Sequence, residues 1–222
     1  MKDWTYGGFA KKYDMTAEKI EIGTGTVKVH DLMQPIPEWL TGEVLFCDPP
    51  CSQANLQAFA TKADKGALAN NEYKLFEERL AAIFDKIAPK YIYLEVFQSN
   101  KVFWVGYLLQ RFKYVDMGDS YYYKKKTNRC WILAASNDDY HIPLAYQDES
   151  DDIKDICRRS PKELTIFDPC MGMGLVGYWA NYYGRKFTGT ELNPHRLAYM
   201  IERINQGRLV PKKDLDQVKN KG

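Results

Sequence analysis

The feature of this sequence that most limits its fold is a recurrence of short strand-like runs, each closed by an acid and set apart by segments with helical spacing. VLFC ends in Asp48, YIYL in Glu95, LTIF in Asp168 and KFTGT in Glu191. Apolar runs of four or five residues are too short for helices. Where they lack polar alternation they read as strands buried on both faces. Strands are expected over residues 42–48, 91–96, 130–135, 164–168 and 186–191. Between them, residues 72–86 place Leu75, Phe76, Leu80, Ile83 and Phe84 on one helical stripe, and residues 102–111 and 195–204 follow the same rule. Strands alternating with amphipathic helices imply an α/β fold around a mostly parallel sheet. Residues 114–135 break the pattern, because two strand-like runs flank Lys124, Lys125 and Lys126. That arrangement reads as an antiparallel hairpin at a sheet edge.

The chain has 222 residues, which suits a single domain with a full-sized core. We divide it into a part spanning 1–136, a linker and helix at 137–163, a block at 164–209, and a basic tail at 210–222. Lysine and arginine number 31 against 29 acids, a net charge of +2, so no global basic field announces a polyanionic partner. Five cysteines without a CxxC pair, and three scattered histidines, leave no metal site to expect. No apolar run reaches membrane-spanning length. The N-terminus lacks an apolar stretch before a small-residue cleavage site. The expected location is the cytoplasm, with no membrane partner.

Two strand ends carry chemistry. After LTIFD comes a turn with Gly172, Gly174 and Gly177, then a helix, then a second strand ending in Glu191. Glycines there let the backbone approach a nucleoside-type ligand, and an acid about 20 residues on can hydrogen-bond ribose hydroxyls. Asp168 at the strand end would repel a phosphate, so a cationic or zwitterionic cofactor fits better than a dinucleotide. S-adenosylmethionine is such a cofactor. After VLFCD comes Pro49-Pro50, a turn with two fixed φ angles that suits substrate positioning. Ligands of open parallel sheets gather at the carboxyl ends of the strands, which brings both motifs under suspicion together.

FDPCMGMGLVG with the following Gly-Arg-Lys-Phe strand and TELNPHRLAYMIERI resembles the cofactor block of the DNA amino-methyltransferases. VHDLMQPIPEWLTGEVLFCDPPC resembles their catalytic block, with its Asp-Pro-Pro-aromatic tetrapeptide. The catalytic block comes first, as in the circularly permuted beta group of that family. The resemblance implies a Rossmann-like methyltransferase sheet and methyl transfer from S-adenosyl-L-methionine to a base amino group. DNA is the implied substrate, RNA stays open, and a homodimer stays open. Carried over residue by residue, Asp48, Pro49 and Pro50 position the target. Asp168, Pro169, Gly172, Gly174 and Glu191 hold the cofactor, with Phe167 and Asn193 lining its pocket.

Cys51 stands where the family has its stacking aromatic. Either a nearby ring, Phe59 or one of Tyr121, Tyr122 and Tyr123, replaces the platform, or Cys51 is a nucleophile for cytosine carbon-5 transfer. A third alternative is a catalytically silent subunit that keeps the fold. Residues 136–163 are too few for a recognition region, so base and phosphate contacts are assigned to a loop at 52–71, with Gln53 and Phe59, and to the hairpin tip, with Lys124, Lys125 and Arg129. YLEV, ending at Glu95, resembles the Glu-Asn-Val strand end of the carbon-5 enzymes; read as a residue alone, Glu95 is expected at the rim, solvated or ion-paired.

Overall fold

The computed structural model describes residues 6–122, 125–138, 144 and 148–207. Lys124, Tyr123, much of the acidic linker and the basic tail lie outside the described residues. A 3-10 segment, Tyr6–Lys12, precedes strands β1 (Ile20–Ile22), β2 (Gly25–Val29) and β3 (Val44–Cys47). Helices α1 (Gln53–Lys62) and α2 (Glu72–Ile87), strand β4 (Tyr91–Val96) and helix α3 (Lys101–Leu109) follow. Strands β5 (Tyr114–Tyr121) and β6 (Arg129–Ser136) form the hairpin. The chain then runs through α4 (Glu149–Arg159), β7 (Ile166–Asp168), α5 (Leu175–Tyr182), β8 (Phe187–Glu191) and α6 (Pro194–Gln206).

All eight strands join one sheet in the order β1-β2-β8-β7-β3-β4-β6-β5. The five strands from β2 to β4 are parallel, whereas β6 runs antiparallel to both β4 and β5. The expected α/β architecture and edge hairpin are both present. β4 matches its expected bounds, because its six residues are buried throughout. Alternate residues serve opposite faces. Ile92, Leu94 and Val96 pack under α1–α3 with Leu80, Phe84 and Trp104, while Tyr91 and Tyr93 pack under α4–α6 with Ile153, Val176 and Met200.

Two segments depart from expectation. Residues 52–71, read as a loop, contain α1, capped by the Ser52 side chain accepting from the Asn55 amide. The acidic stretch is not all linker, since Asp148 caps α4 through the Ser150 amide and Glu149, Asp151 and Asp152 fill its first turn. Acids there complement the positive end of the helix dipole. Among the described residues, no helix is long and apolar enough to cross a membrane. None of their His, Cys, Asp and Glu side chains form a group of three placed to hold a metal ion.

Candidate active site

β3 and β7 are parallel neighbours, with Val44 opposite Ile166 and Leu45 opposite Phe167. Their C-terminal ends therefore point the same way, and the Asp-Pro-Pro turn and the glycine turn open into one cavity of about 1200 Å³. The two-residue period places the acids as well. Phe46, Tyr93, Ile166 and Phe187 all belong to the core beneath α4–α6, so Asp48, Glu95, Asp168 and Glu191, each an even number of residues further on, lie on that same face. Four carboxyls thus stand in a row across β8, β7, β3 and β4, with roughly 4.8 Å from strand to strand. All four border the cavity.

Local bonds fix the glycine turn. Glu191 accepts from the amides of Gly172 at 2.7 Å and Asn193 at 3.0 Å, and Asp168 accepts from the Cys170 amide at 2.9 Å. Gly174 starts α5 with φ of 74°, and a Cβ there would lie 1.7 Å from Met200 Cγ. No other residue type fits without moving the helix. Arg196 reaches Glu191 at 3.9 Å and stacks over the Phe59 ring at 4.9 Å, which puts Phe59 at the Glu191 end of the cavity.

The Asp-Pro-Pro turn is pinned by its neighbours. The Cys51 amide donates to Asn55 Oδ1 and the Cys51 carbonyl accepts from Ser99 Oγ at 2.7 Å. The Tyr122 hydroxyl donates to Asp48 Oδ2, and its ring lies 5.5 Å from that of Phe97, tilted by 31°. Both rings border the cavity at the Asp48 end. The Cys51 thiol is pushed up, first by burial and further by the Asp48 charge.

Burial dominates the acids too. It raises Asp48 to about 6 against the pull of Tyr122 and Arg196, and raises Glu149, at the start of α4, to about 8 with help from Asp48 and Asp148. Asp168 is held well above the usual carboxylate range by burial. Glu191 is raised by the same cause, opposed by Arg196 and by the backbone amides that it accepts from. Glu95 is fully buried rather than at a solvated or ion-paired rim, with the Cys130 thiol and the Tyr122 hydroxyl as its polar neighbours, though neither closes a hydrogen bond of good geometry onto it.

Of the residues singled out from sequence, Asp48, Pro49, Pro50, Cys51, Phe59, Asp168, Pro169, Gly172, Gly174 and Glu191 border the cavity. Others lie elsewhere. Phe167 faces the opposite core, beneath α1–α3. Asn193 caps α6 through the His195 and Arg196 amides and ties its Nδ2 to the Lys62 carbonyl. Gln53 bridges the Ala69 carbonyl and the Tyr73 amide, bracing the segment between α1 and α2. Arg129 is exposed, paired with Asp119 at 2.7 Å on the hairpin, and Lys125 is exposed in the hairpin turn. Sequence reasoning missed Phe97, Glu149 and Arg196 as cavity residues. Phe97 alone carried a signal, as an aromatic just past a strand-closing acid.

No family model matches the sequence, and no curated protein does. Solved structures do match. The PvuII DNA methyltransferase (cytosine-N4-specific) superposes with a TM-score of 0.54 at 12% identity, over 90% of this chain and 92% of that one. M1.HpyAVI gives 0.53 at 15% identity, over 75% and 88%. TTHA0409 from Thermus thermophilus, provisionally a DNA modification methylase and solved with S-adenosyl-L-methionine, gives 0.53 at 15%, over 79% and 89%. The chain has a methyltransferase fold. At such identities the likeness concerns the path of the chain, and the reacting residues have to be argued from the site itself.

Proposed function

We propose that the protein transfers a methyl group from S-adenosylmethionine to an exocyclic amino group of a DNA base. The observation that carries this reading is the adjacency of the Asp-Pro-Pro turn and the glycine turn at the tips of β3 and β7 in one cavity. The cofactor end suits the ligand. Gly172 and Gly174 permit close backbone approach, and Glu191 keeps lone pairs for ribose hydroxyls beyond the two amides it accepts. A row of carboxyls favours a ligand bearing an ammonium and a sulfonium over a pyrophosphate. When bound, the cofactor supplies an electrophilic methyl group.

The chain's own residues place the acceptor. Asp48, at about 6, is ionised at neutral pH and accepts a hydrogen bond from the target amine, directing the nitrogen lone pair away from itself. Pro49 and Pro50 keep that geometry rigid, and such orientation is a large part of what a bound site contributes to rate. Cys51 offers no ring, but Phe97 and Tyr122 supply aromatic surface beside Asp48. Phe59 belongs to the cofactor end. Amino transfer is favoured over carbon-5 transfer because a nucleophilic cysteine must be a thiolate, whereas burial and Asp48 both keep Cys51 protonated. The DNA substrate belongs to this same reading, supported by the superposed PvuII enzyme, which is named as a DNA methyltransferase, and the permuted order of motifs is proposed on the order of the two blocks in the sequence alone.

Mass spectrometry of nucleosides from DNA coexpressed with the protein is the deciding experiment. We expect N4-methylcytosine or N6-methyladenine, lost in Asp48→Ala, while calorimetric binding of S-adenosylmethionine survives that substitution. Carbon-5 methylcytosine would overturn the amino assignment. No methylation together with no cofactor binding would leave a silent scaffold.

A further inference from the structure

A helix laid against a sheet normally buries one stripe and leaves the rest to solvent. α6 does not, since every residue from Leu197 to Ile204 is buried. The segment Tyr6–Lys12 provides the second cover. Phe9 packs on Ala198 and Tyr199, its ring 6.3 Å from that of Tyr199, and the Lys12 ammonium and the Tyr13 hydroxyl donate to Glu202 at 3.0 and 2.6 Å. The far end of the segment is thus tied to α6. Between Phe9 and Tyr6 stand Gly7 and Gly8, with φ of 82° and 72°, a left-handed pair that glycine alone adopts without penalty. A Cβ on Gly7 would lie 2.8 Å from the Phe9 ring. The reversal lets Phe9 sink against α6 while Tyr6, at the fringe of the same cluster, reaches the border of the cavity. Tyr6 is itself left-handed, with φ of 45°. A bulky residue in that region is an outlier, and such outliers gather at functional sites.

The Tyr6 hydroxyl meets two charges there. Burial pushes it up, Arg196 pulls it down and Glu191 pushes it up further, so the side chain stands among the groups at the end of β8 and the start of α6. Met173, from the glycine turn, packs against the same cluster as Tyr6 and borders the cavity too. We propose that Tyr6 is a cofactor-binding residue, its ring closing over the ribose that Glu191 holds, so that the segment Tyr6–Lys12 forms a strap across an adenosine-bearing ligand. The inference rests on the cofactor reading of the glycine turn and deepens it. A ribose carries its hydroxyls along one edge and C–H groups on its faces. A carboxyl at the edge and an aromatic ring on a face complement it together, and Glu191 alone answers only the edge. Phe9, Lys12 and Tyr13 suffice to hold the segment on α6, which leaves the left-handed Tyr6 to answer to the cavity.

The test is calorimetric binding of S-adenosylmethionine to the full chain and its variants, with limited trypsin digestion of the same proteins. Tyr6→Ala should weaken binding by about tenfold, the scale of one aromatic contact, while Tyr6→Phe keeps the ring and should stay within about threefold of wild type. Lys11 and Lys12 are exposed, and trypsin needs the strap lifted off α6 to cut after them. Saturating cofactor should therefore slow that cleavage in wild type and not in Tyr6→Ala, with cleavage at Lys125 in the hairpin turn unchanged in both. Without cofactor, the variants should melt with wild type, which separates a ligand contact from a general loss of stability. A strap cut equally fast with and without cofactor would overturn the assignment, as would a Tyr6→Phe variant that binds as weakly as Tyr6→Ala. Weakened binding matched by an equally large loss of melting temperature without cofactor would make Tyr6 a structural residue and overturn it too. If wild type binds no S-adenosylmethionine at millimolar concentration, the cofactor reading fails and the strap falls with it. Binding that is indifferent to Tyr6→Ala would sink the strap alone.

Discussion

Asp48, Glu95, Glu149, Asp168 and Glu191 each bind their proton more tightly folded than unfolded, with burial the largest cause in every case. The folded state then holds more protons than the unfolded chain above about pH 4, so stability must fall as pH rises through the folded values. For Glu149 that window runs from its ordinary 4.5 to about 8. Thermal melts of Glu149→Gln should match wild type near about pH 4 and exceed it near about pH 9. Equal melting temperatures at the alkaline end would show that Glu149 is not strained in the fold. At this scale the sequence was readable where chemistry and period agree. Asp168 at a strand end was legible, but Phe167 beside it had to face the other way, since neighbours on a strand alternate. Asn193 before Pro194 was equally legible as a helix cap.

Among the elements, the start of α5 is the most constrained. Gly174 combines a left-handed backbone with contact against Met200, which is itself fully buried. Gly174→Ala should cost about 2–4 kcal/mol, the sum of a backbone penalty and overpacking. Denaturant unfolding measures it, and a loss under about 1 kcal/mol would mean that α5 shifts easily. Long, uninterrupted patterns survived translation into structure: YIYLEV in full, and the α2 stripe except for Leu75, which is exposed at the edge of the buried face. Weak patterns did not. β1 and β2 interleave polar residues in IEIGTGTVKV and were not expected. α1 buries only Leu56 and Ala60, while its Phe59 turns into the cavity, so its sequence shows no stripe to find.

On the scale of the whole molecule, β3 and β7 are separated by more than a hundred residues in the chain and lie side by side in the sheet. No local window of sequence contains the site; only the sheet order assembles it. A ligand bridging β7, β8 and β3 should therefore stabilise the entire fold. At a concentration of S-adenosylmethionine about 100 times its Kd, linkage adds about 2.7 kcal/mol, which should raise Tm by about 5–10 °C. An unmoved Tm at millimolar cofactor would count against the proposed pocket.

In the proposed reaction, the carboxyl row across the strand tips also decides what can follow a base into the protein. A nucleotide is a neutral ring tied to an anionic chain, and the inner wall opposes only the second of these. Its ionised members, Asp48 among them, would act as a sieve by charge, admitting the heterocycle and stopping the phosphodiester at the entrance. A polymer would then be engaged one base at a time without its backbone being swallowed.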